Sequence, residues 1–142
     1  MSTATAPQAP TTGPRYGLMR RVNLSYEEAV EKITATLKDQ GFGILTEIDV
    51  KSTLKKKLDK DFTKYIILGA CNPPLAFQAL SSEIDIGLLL PCNVNVYEDP
   101  STGETVVSAI DPKVLVEVTG RADLGPIADE VSTKLNAALD AL

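Results

Sequence analysis

A chain of 142 residues, 44% hydrophobic and 23% charged, has the size and composition of one soluble globular domain that needs no disulfides or structural metal. Its net charge of −5 at pH 7 disfavours nucleic acid and anionic membrane surfaces as partners. The chain has no histidine, which excludes His-activated serine or cysteine nucleophiles and His-containing metal sites within it.

The first fifteen residues, MSTATAPQAPTTGPR, are of low complexity and lack the charged and apolar regions of a secretory signal. We predict a disordered tail over residues 1–15 and a single α+β domain over residues 16–142. No apolar run approaches the roughly 20 residues that span a bilayer. With only two cysteines, these features predict a cytoplasmic protein with reduced thiols and no membrane association.

The beginning of the domain predicts a strand–helix–strand unit. A mixed segment from Tyr16 to Val22 is expected to form the first strand, and Ser25 with Glu28 forms a capping box at the start of a helix that Gly41 ends. The next strand is predicted over Phe42–Val50, with one row of alternating side chains facing inward and the other facing water. The inward row comprises Phe42, Ile44, Thr46 and Ile48, and the wet row comprises Gly43, Leu45, Glu47 and Asp49.

The remaining elements are shorter. Asp49 is expected to cap a helix over Val50–Leu58 whose Leu54 and Leu58 point inward. The predicted elements that follow are a strand over Phe62–Asn72, a helical turn over Pro73–Ser81, a long strand over Ile84–Glu98, a hairpin partner over Glu104–Ile110, a short helix from Asp111 to Val118 and a final helix from Pro126.

This order, β-α-β-β-β-β-α with short helices inserted, predicts an α+β fold. We expect a curved, mainly antiparallel five-stranded sheet with helices packed on one face, because whole-helix crossings are too few for a doubly wound sheet. The opposite face is predicted to expose Leu45, Glu47, Leu89, Asn93, Asn95 and Tyr97. Such a mixed apolar and amide surface suits a dimer contact or a shallow ligand platform.

Two segments that each carry a Cys-Asn pair beside proline supply the candidate site. The residues predicted to bind a ligand are Cys71, Asn72, Cys92, Asn93 and Asn95. If the site is thiol-active, Cys71 and Cys92 are its reactive groups; the competing interpretation is that both are small buried hydrophobic residues. Nothing has CxxC spacing, and two cysteines without histidine supply half of a tetrahedral zinc site, so we predict no metal and no cofactor.

Two charged clusters complete the candidates. Six of the ten lysines lie between Lys51 and Lys64, where they form either a solvated surface or a docking patch for an anionic ligand or acidic partner. Glu47 and Asp49, two residues apart on one strand face, could act as general acid and base, although exposed alternation explains them equally well.

Several collinear motifs carry a family resemblance. The runs GFGILTEIDVKSTLKKKL, ILGACNPPLAFQAL, IGLLLPCNVNVYE and TVVSAIDP resemble the family called domain of unknown function 302, over about Tyr16 to Leu142. The resemblance implies a fold similar to one repeat of the TATA-box-binding protein and suggests a homodimer. It implies no established activity, and it does not imply DNA binding, because this acidic chain lacks the basic sheet surface that a minor groove requires.

From these features we predict a small binding or accessory module without catalysis of its own, homodimeric, that holds a small molecule or a protein partner around the Cys-Asn segments. The first alternative is a thiol-dependent redox or sulfur-carrier protein that uses Cys71 and Cys92. The second is a purely structural dimer, which predicts no ligand at all.

Overall fold

The computed structural model describes residues 13–142, so the tail predicted over residues 1–15 lies outside the described residues except for its last three. The strands and α-helices, in chain order, are β1 Gly17–Val22, α1 Tyr26–Asp39, β2 Gly43–Asp49, α2 Val50–Leu58, β3 Tyr65–Cys71, α3 Pro73–Ser82, β4 Cys92–Glu98, β5 Thr105–Ile110, α4 Lys113–Thr119 and α5 Gly125–Asp140. Two 3₁₀ helices, Ile84–Leu89 and Ala122–Leu124, lie between them.

The strands form one antiparallel sheet in the order β1-β5-β4-β3-β2. Strand β4 is therefore central, and β1 and β2 are the edges. The predicted α+β class and the five-stranded antiparallel sheet are confirmed. Helices α1 and α5 pack against each other and cover one face of the sheet, which we call the helix face; the opposite side is called the open face.

The main core lies between the helix face and these helices. Its fully buried members include Ile33 and Leu37 of α1, Leu68 of β3, and Leu135 of α5. A second, smaller cluster joins α3, α4 and the two 3₁₀ helices, and its buried members are Ala79, Ile86, Leu115 and Leu124. Burial of these apolar side chains is the main favourable term for the fold.

Helix starts follow the predicted caps. The Ser25 hydroxyl accepts a hydrogen bond from the Glu28 amide, and the Glu28 carboxylate accepts one from the Ser25 amide, so the capping box is present. Asp49 caps α2 by accepting from the Ser52 amide at 2.9 Å. Asn72, predicted as a site residue, also caps a helix, since its Oδ1 accepts from the Leu75 amide.

The long strand predicted over Ile84–Glu98 is wrong in its first half. Residues Ile84–Leu89 form a 3₁₀ helix, and the strand begins only at Cys92. The apolar residues of this run have no period that separates a buried helical turn from a strand. Ile86 packs into the smaller core cluster while Leu88 is 87% exposed, although a strand would place the two on the same face. Pro91, which has no N–H to give to a ladder, precedes the strand.

Strand β2 departs from the predicted alternation. The register with β3 shifts between Ile44 and Thr46, which marks a β-bulge at Leu45. Because an extra residue reverses the alternation that follows, Thr46 lies opposite Gly69 on the open face, whereas Glu47 lies opposite Leu68 on the helix face. The prediction that Thr46 and Ile44 share one row is therefore wrong.

These shifts also correct the predicted open face. Asn93, Asn95 and Tyr97 lie there, as predicted, by their register with β3 and β5. Glu47 lies on the helix face and Leu89 belongs to a 3₁₀ helix. The prediction that Leu58 points inward is also wrong: it is 62% exposed, and α2 has no buried residue, because α2 lies outside both core clusters. Within residues 13–142, no helix has the length and apolar character to cross a membrane.

A candidate ligand cavity beside the two cysteines

The two cysteines lie on neighbouring central strands. Cys92 begins β4 opposite Ala70, the residue before Cys71 at the end of β3. Both are free thiols; Cys92 is buried and Cys71 is half-buried. This register places the two Cys-Asn segments side by side on neighbouring inner strands of the sheet.

Both thiols line a cavity of about 350 Å³ at this end of the sheet. Its walls come from β2, β3, β4, α3, α4, α5 and the first 3₁₀ helix. The lining side chains that form the bulk of the wall are Phe42, Leu75, Leu80, Leu90, Leu115, Ile127 and Val131. The volume lies within the range of about 300–1,000 Å³ that is typical of small-molecule sites.

Asn72 also lines the cavity, but its amide is already engaged. Its Oδ1 caps α3, and its Nδ2 donates to the Gln40 carbonyl at 3.3 Å. Asn72 is buried, and it ties the start of α3 to the end of α1. The side chain therefore fixes the wall of the cavity instead of presenting free hydrogen-bonding groups to its interior.

The bulge in β2 shapes the opening. Leu45 and Thr46 line the cavity and are exposed, as is Gly87 of the 3₁₀ helix, so these residues mark where the cavity meets solvent. Gly69 permits this arrangement: a Cβ at that position would overlap Thr46 Oγ1 and lie 2.8 Å from Pro91 Cγ. Only glycine lets both residues approach β3 so closely.

Burial makes Cys92 a poor nucleophile. Desolvation, followed by the proximity of Cys71, raises the pKa of the Cys92 thiol to about 11. Reactive cysteines need the opposite shift, since the thiolate is the nucleophile and metal ligand. At neutral pH Cys92 is thus a protonated, apolar part of the wall.

Asn93 and Asn95 do not join the thiols at the cavity. Asn93 lies opposite Gly69 and Asn95 opposite Ile67, so both belong to the open face. The predicted set of five ligand-binding residues is thereby divided: Cys71, Asn72 and Cys92 line the cavity, whereas Asn93 and Asn95 do not. Alternation along β4 separates adjacent residues in this way.

The centre of the open face carries an aromatic pair. The rings of Tyr65 and Tyr97 stack with centroids 5.0 Å apart and planes 8° apart, and Asn95 Nδ2 contacts the Tyr65 hydroxyl at 2.8 Å. Asn95 Oδ1 is buried and has no hydrogen-bond partner among residues 13–142. Burial raises the pKa of both Tyr65 and Tyr97, so their hydroxyls stay neutral at physiological pH.

Three of the six lysines between Lys51 and Lys64 have partners for their side chains. Lys55 pairs with Asp59 and Asp61, and Lys64 pairs with Glu27 at 2.7 Å. Lys51 Nζ donates to the Phe62 carbonyl. Asp49 caps α2, which leaves the Glu47–Asp49 pair without two free carboxylates. Within the described chain, no group of three or more His, Cys, Asp and Glu side chains is placed to hold a metal ion.

The comparisons with known proteins agree with this fold. A family model described as domain of unknown function DUF302 matches residues 19–142. The chain belongs to this family. A crystal structure of an uncharacterized conserved DUF302 protein from Bacillus stearothermophilus is similar to this DUF302 chain, with 31% sequence identity and a TM-score of 0.83. The match covers 89% of this chain and 98% of the other. No curated protein matches.

Family membership confirms the resemblance that the motifs predict, and it brings no activity with it. The likeness to a repeat of the TATA-box-binding protein stays a prediction. The sequence alone does not identify most of the cavity wall. Residue type and spacing do not distinguish Phe42, Leu75, Leu115 and Val131 from ordinary core residues. The only local signal at the opening is Gly69, an isolated glycine in a strand, which indicates a bulge or a close approach of backbone.

Proposed function

We propose that this DUF302 chain is a small-molecule binding module whose cavity beside Cys71 and Cys92 holds an uncharged, apolar compound. The observation that carries the proposal is a cavity of about 350 Å³ whose wall offers almost no free polar group. A ligand that buried a charge or several polar atoms there would lose their hydration without replacement. An apolar ligand loses nothing of this kind and gains contact with the wall.

The lining chemistry limits the ligand further. The Asn72 amide is engaged at both ends, and the Cys92 thiol is protonated at neutral pH because its pKa is raised to about 11. At about 350 Å³, the cavity has the size of a site for a small organic molecule. Any polar end of the ligand belongs at the opening, where Thr46 is exposed.

The test is uptake of a neutral apolar fluorescent dye, N-phenyl-1-naphthylamine. Ala76 lines the cavity from α3 and is half-buried, so Ala76→Phe should fill it and lower dye affinity at least tenfold. The matched control is Ala35→Phe, at an exposed position of α1 outside the lining, which should bind as the parent does. Absence of uptake by the parent, or equal uptake by Ala76→Phe, refutes the proposal and favours the purely structural dimer.

We also propose that the module is a homodimer joined through its open face. Support comes from the composition of that face: the Tyr65–Tyr97 stack and Asn95 at its centre are uncharged, and Arg21 nearby is paired with Asp99 at 3.0 Å. Two chains that each carry a net charge of −5 associate most readily through a neutral surface. Five strands about 4.8 Å apart and about 24 Å long give a footprint of roughly 570 Å², or roughly 1,100 Å² for two copies, near the lower limit for a specific interface.

Light scattering during size exclusion tests the dimer. We expect twice the chain mass at micromolar concentration, and we expect Asn95→Asp to weaken the dimer at least tenfold, because it brings like charges together at the centre of the interface. Asn23→Asp adds the same charge at an exposed loop position and should leave the dimer intact. A monomeric parent protein, or equal dissociation of both variants, refutes the open-face dimer.

A further inference from the structure

The segment from α3 through the first 3₁₀ helix presents large apolar side chains to solvent. Phe77 is 73% exposed, Ile84 is 78% exposed and Leu88 is 87% exposed. We call these three residues the apolar rim. Side chains of this size are seldom left in water as a group without an interaction that covers them.

The rim residues belong to the same two elements as part of the cavity wall. Leu80, one helical turn after Phe77, lines the cavity wall, and so does Gly87, which lies between Ile84 and Leu88 in the chain. The 3₁₀ helix packs back onto α3, and the ideal Cβ position of Gly87 lies 3.9 Å from Leu80 Cδ2. The same short segment therefore faces the cavity on one side and water on the other.

The rim is a poor surface for a second copy of the chain. It has three large side chains, whereas a specific protein interface uses roughly 20–30 residues a side, and the open face already serves the proposed dimer. A bilayer requires no shape complementarity, and a few inserted apolar side chains suffice for reversible contact.

The charges of the segment disfavour an anionic bilayer and favour a neutral one. Between Pro73 and Leu90 the only charged residues are Glu83 and Asp85, and Arg121 is held by Glu83 at 2.6 Å and by Asp123. The segment itself thus offers no cation to anionic headgroups, and the net charge of −5 repels them. A lipid surface with no net charge neither repels the chain nor needs cations from the segment.

We propose, in place of the prediction of no membrane association, that the apolar rim docks onto an electrically neutral lipid surface, from which the cavity takes its apolar ligand. This inference rests on the proposed ligand-binding function. Docking through α3 and the 3₁₀ helix would bring two elements of the cavity wall to the lipid, into which an apolar compound partitions.

Flotation with phosphatidylcholine vesicles tests the docking. The full chain should float with the vesicles, and the double variant Phe77→Ser, Leu88→Ser should bind at least tenfold less. Leu58→Ser is the matched control, since Leu58 is 62% exposed on α2, which contributes nothing to the cavity. Vesicles containing phosphatidylglycerol should bind the parent more weakly. A parent protein that does not float, equal losses in the double variant and the control, or stronger binding to phosphatidylglycerol would overturn the inference.

Dye uptake in vesicle-free buffer measures ligand binding in the cavity independently of docking to lipid. The rim variant should take up N-phenyl-1-naphthylamine as the parent does, and Ala76→Phe should float normally while losing the dye. If the parent floats but never takes up dye, the ligand-binding function fails and the collecting role fails with it. If it takes up dye but does not float, only the docking inference is lost. Thermal melts of each variant confirm that it is folded.

Discussion

The two faces of the β3–β4 pair are built from alternating residues of the same two strands, yet they have different environments. On the helix face, Leu68 and Val94 are at most 1% exposed and Cys92 joins them in the core. On the open face, Ile67 and Asn95 are half-buried and Asn93 is exposed. The difference shows that adjacent residues of one strand can lie in a packed core and on a partly exposed surface.

The polar groups also differ between the two faces. The cavity at the end of the sheet is lined by the two thiols and the engaged Asn72 amide, which leave its wall apolar. The open face carries the stacked tyrosines and an amide oxygen, Asn95 Oδ1, that lacks a partner within the described residues. Contacts with another molecule therefore have different chemistry on each side: dispersion at the cavity, and stacking with hydrogen bonds at the open face.

The largest expected effect comes from truncating neighbouring residues on opposite faces. Leu68→Ala should lower the free energy of unfolding by about 2–5 kcal/mol, since it leaves a cavity in a close-packed core. At protein concentrations too low for the dimer to form, Ile67→Ala, one residue away, should cost less than half as much because its side chain is then partly exposed. Urea unfolding measures both. Equal losses would mean that the open face is as well packed as the core, as in a tight dimer, and the Ile67→Ala loss would then depend on protein concentration.

High pH should lower the free energy of unfolding through the buried Cys92 thiol. The pKa of Cys92 is raised from 9.0 to about 11 in the folded chain, so its contribution to stability is fully present below pH 9. Between pH 9 and 11 the unfolded chain ionises first, and about 1.4 kcal/mol per pH unit should be lost.

The control for this prediction is Cys92→Ala, which should remove that part of the pH dependence, whereas Cys71→Ala should keep it. Thiol labelling of native protein near pH 8 should correspondingly leave Cys92 unmodified. Rapid labelling of Cys92 would contradict the buried, protonated state and would restore the redox or sulfur-carrier alternative.

The smallest effect is expected at the aromatic pair of the open face. Tyr97→Leu removes the stack with Tyr65 while keeping an apolar side chain, and should cost about 0.5–1.5 kcal/mol. Tyr16→Leu, at a position that is 67% exposed, serves as the control and should be nearly neutral. The midpoints of urea unfolding compare the two. If Tyr97→Leu is also neutral, the stack contributes nothing to the fold and matters only for association.

Much of the fold follows from local signals in the sequence. The Ser25–Glu28 capping box, the Asp49 cap and the hairpin between β4 and β5 depend on residues within a few positions of each other, so the sequence alone identifies them. The first half of the predicted strand over Ile84–Glu98 failed because apolar residues in a short run pack equally well as a 3₁₀ helix. The bulge at Leu45 was invisible for a related reason: its cause is contact with β3, which is distant in sequence.

The sequence by itself determined the element types at most positions, the two-cysteine composition and the family, because caps, turns and motifs are local. Only the tertiary structure decided that Cys71, Asn72 and Cys92 line one cavity while Asn93 and Asn95 face away from it. That division depends on strand register and on the packing of α3, α4 and α5 around the end of the sheet. Register and packing are long-range properties, since each residue's neighbours in space come from elements that lie far away along the chain.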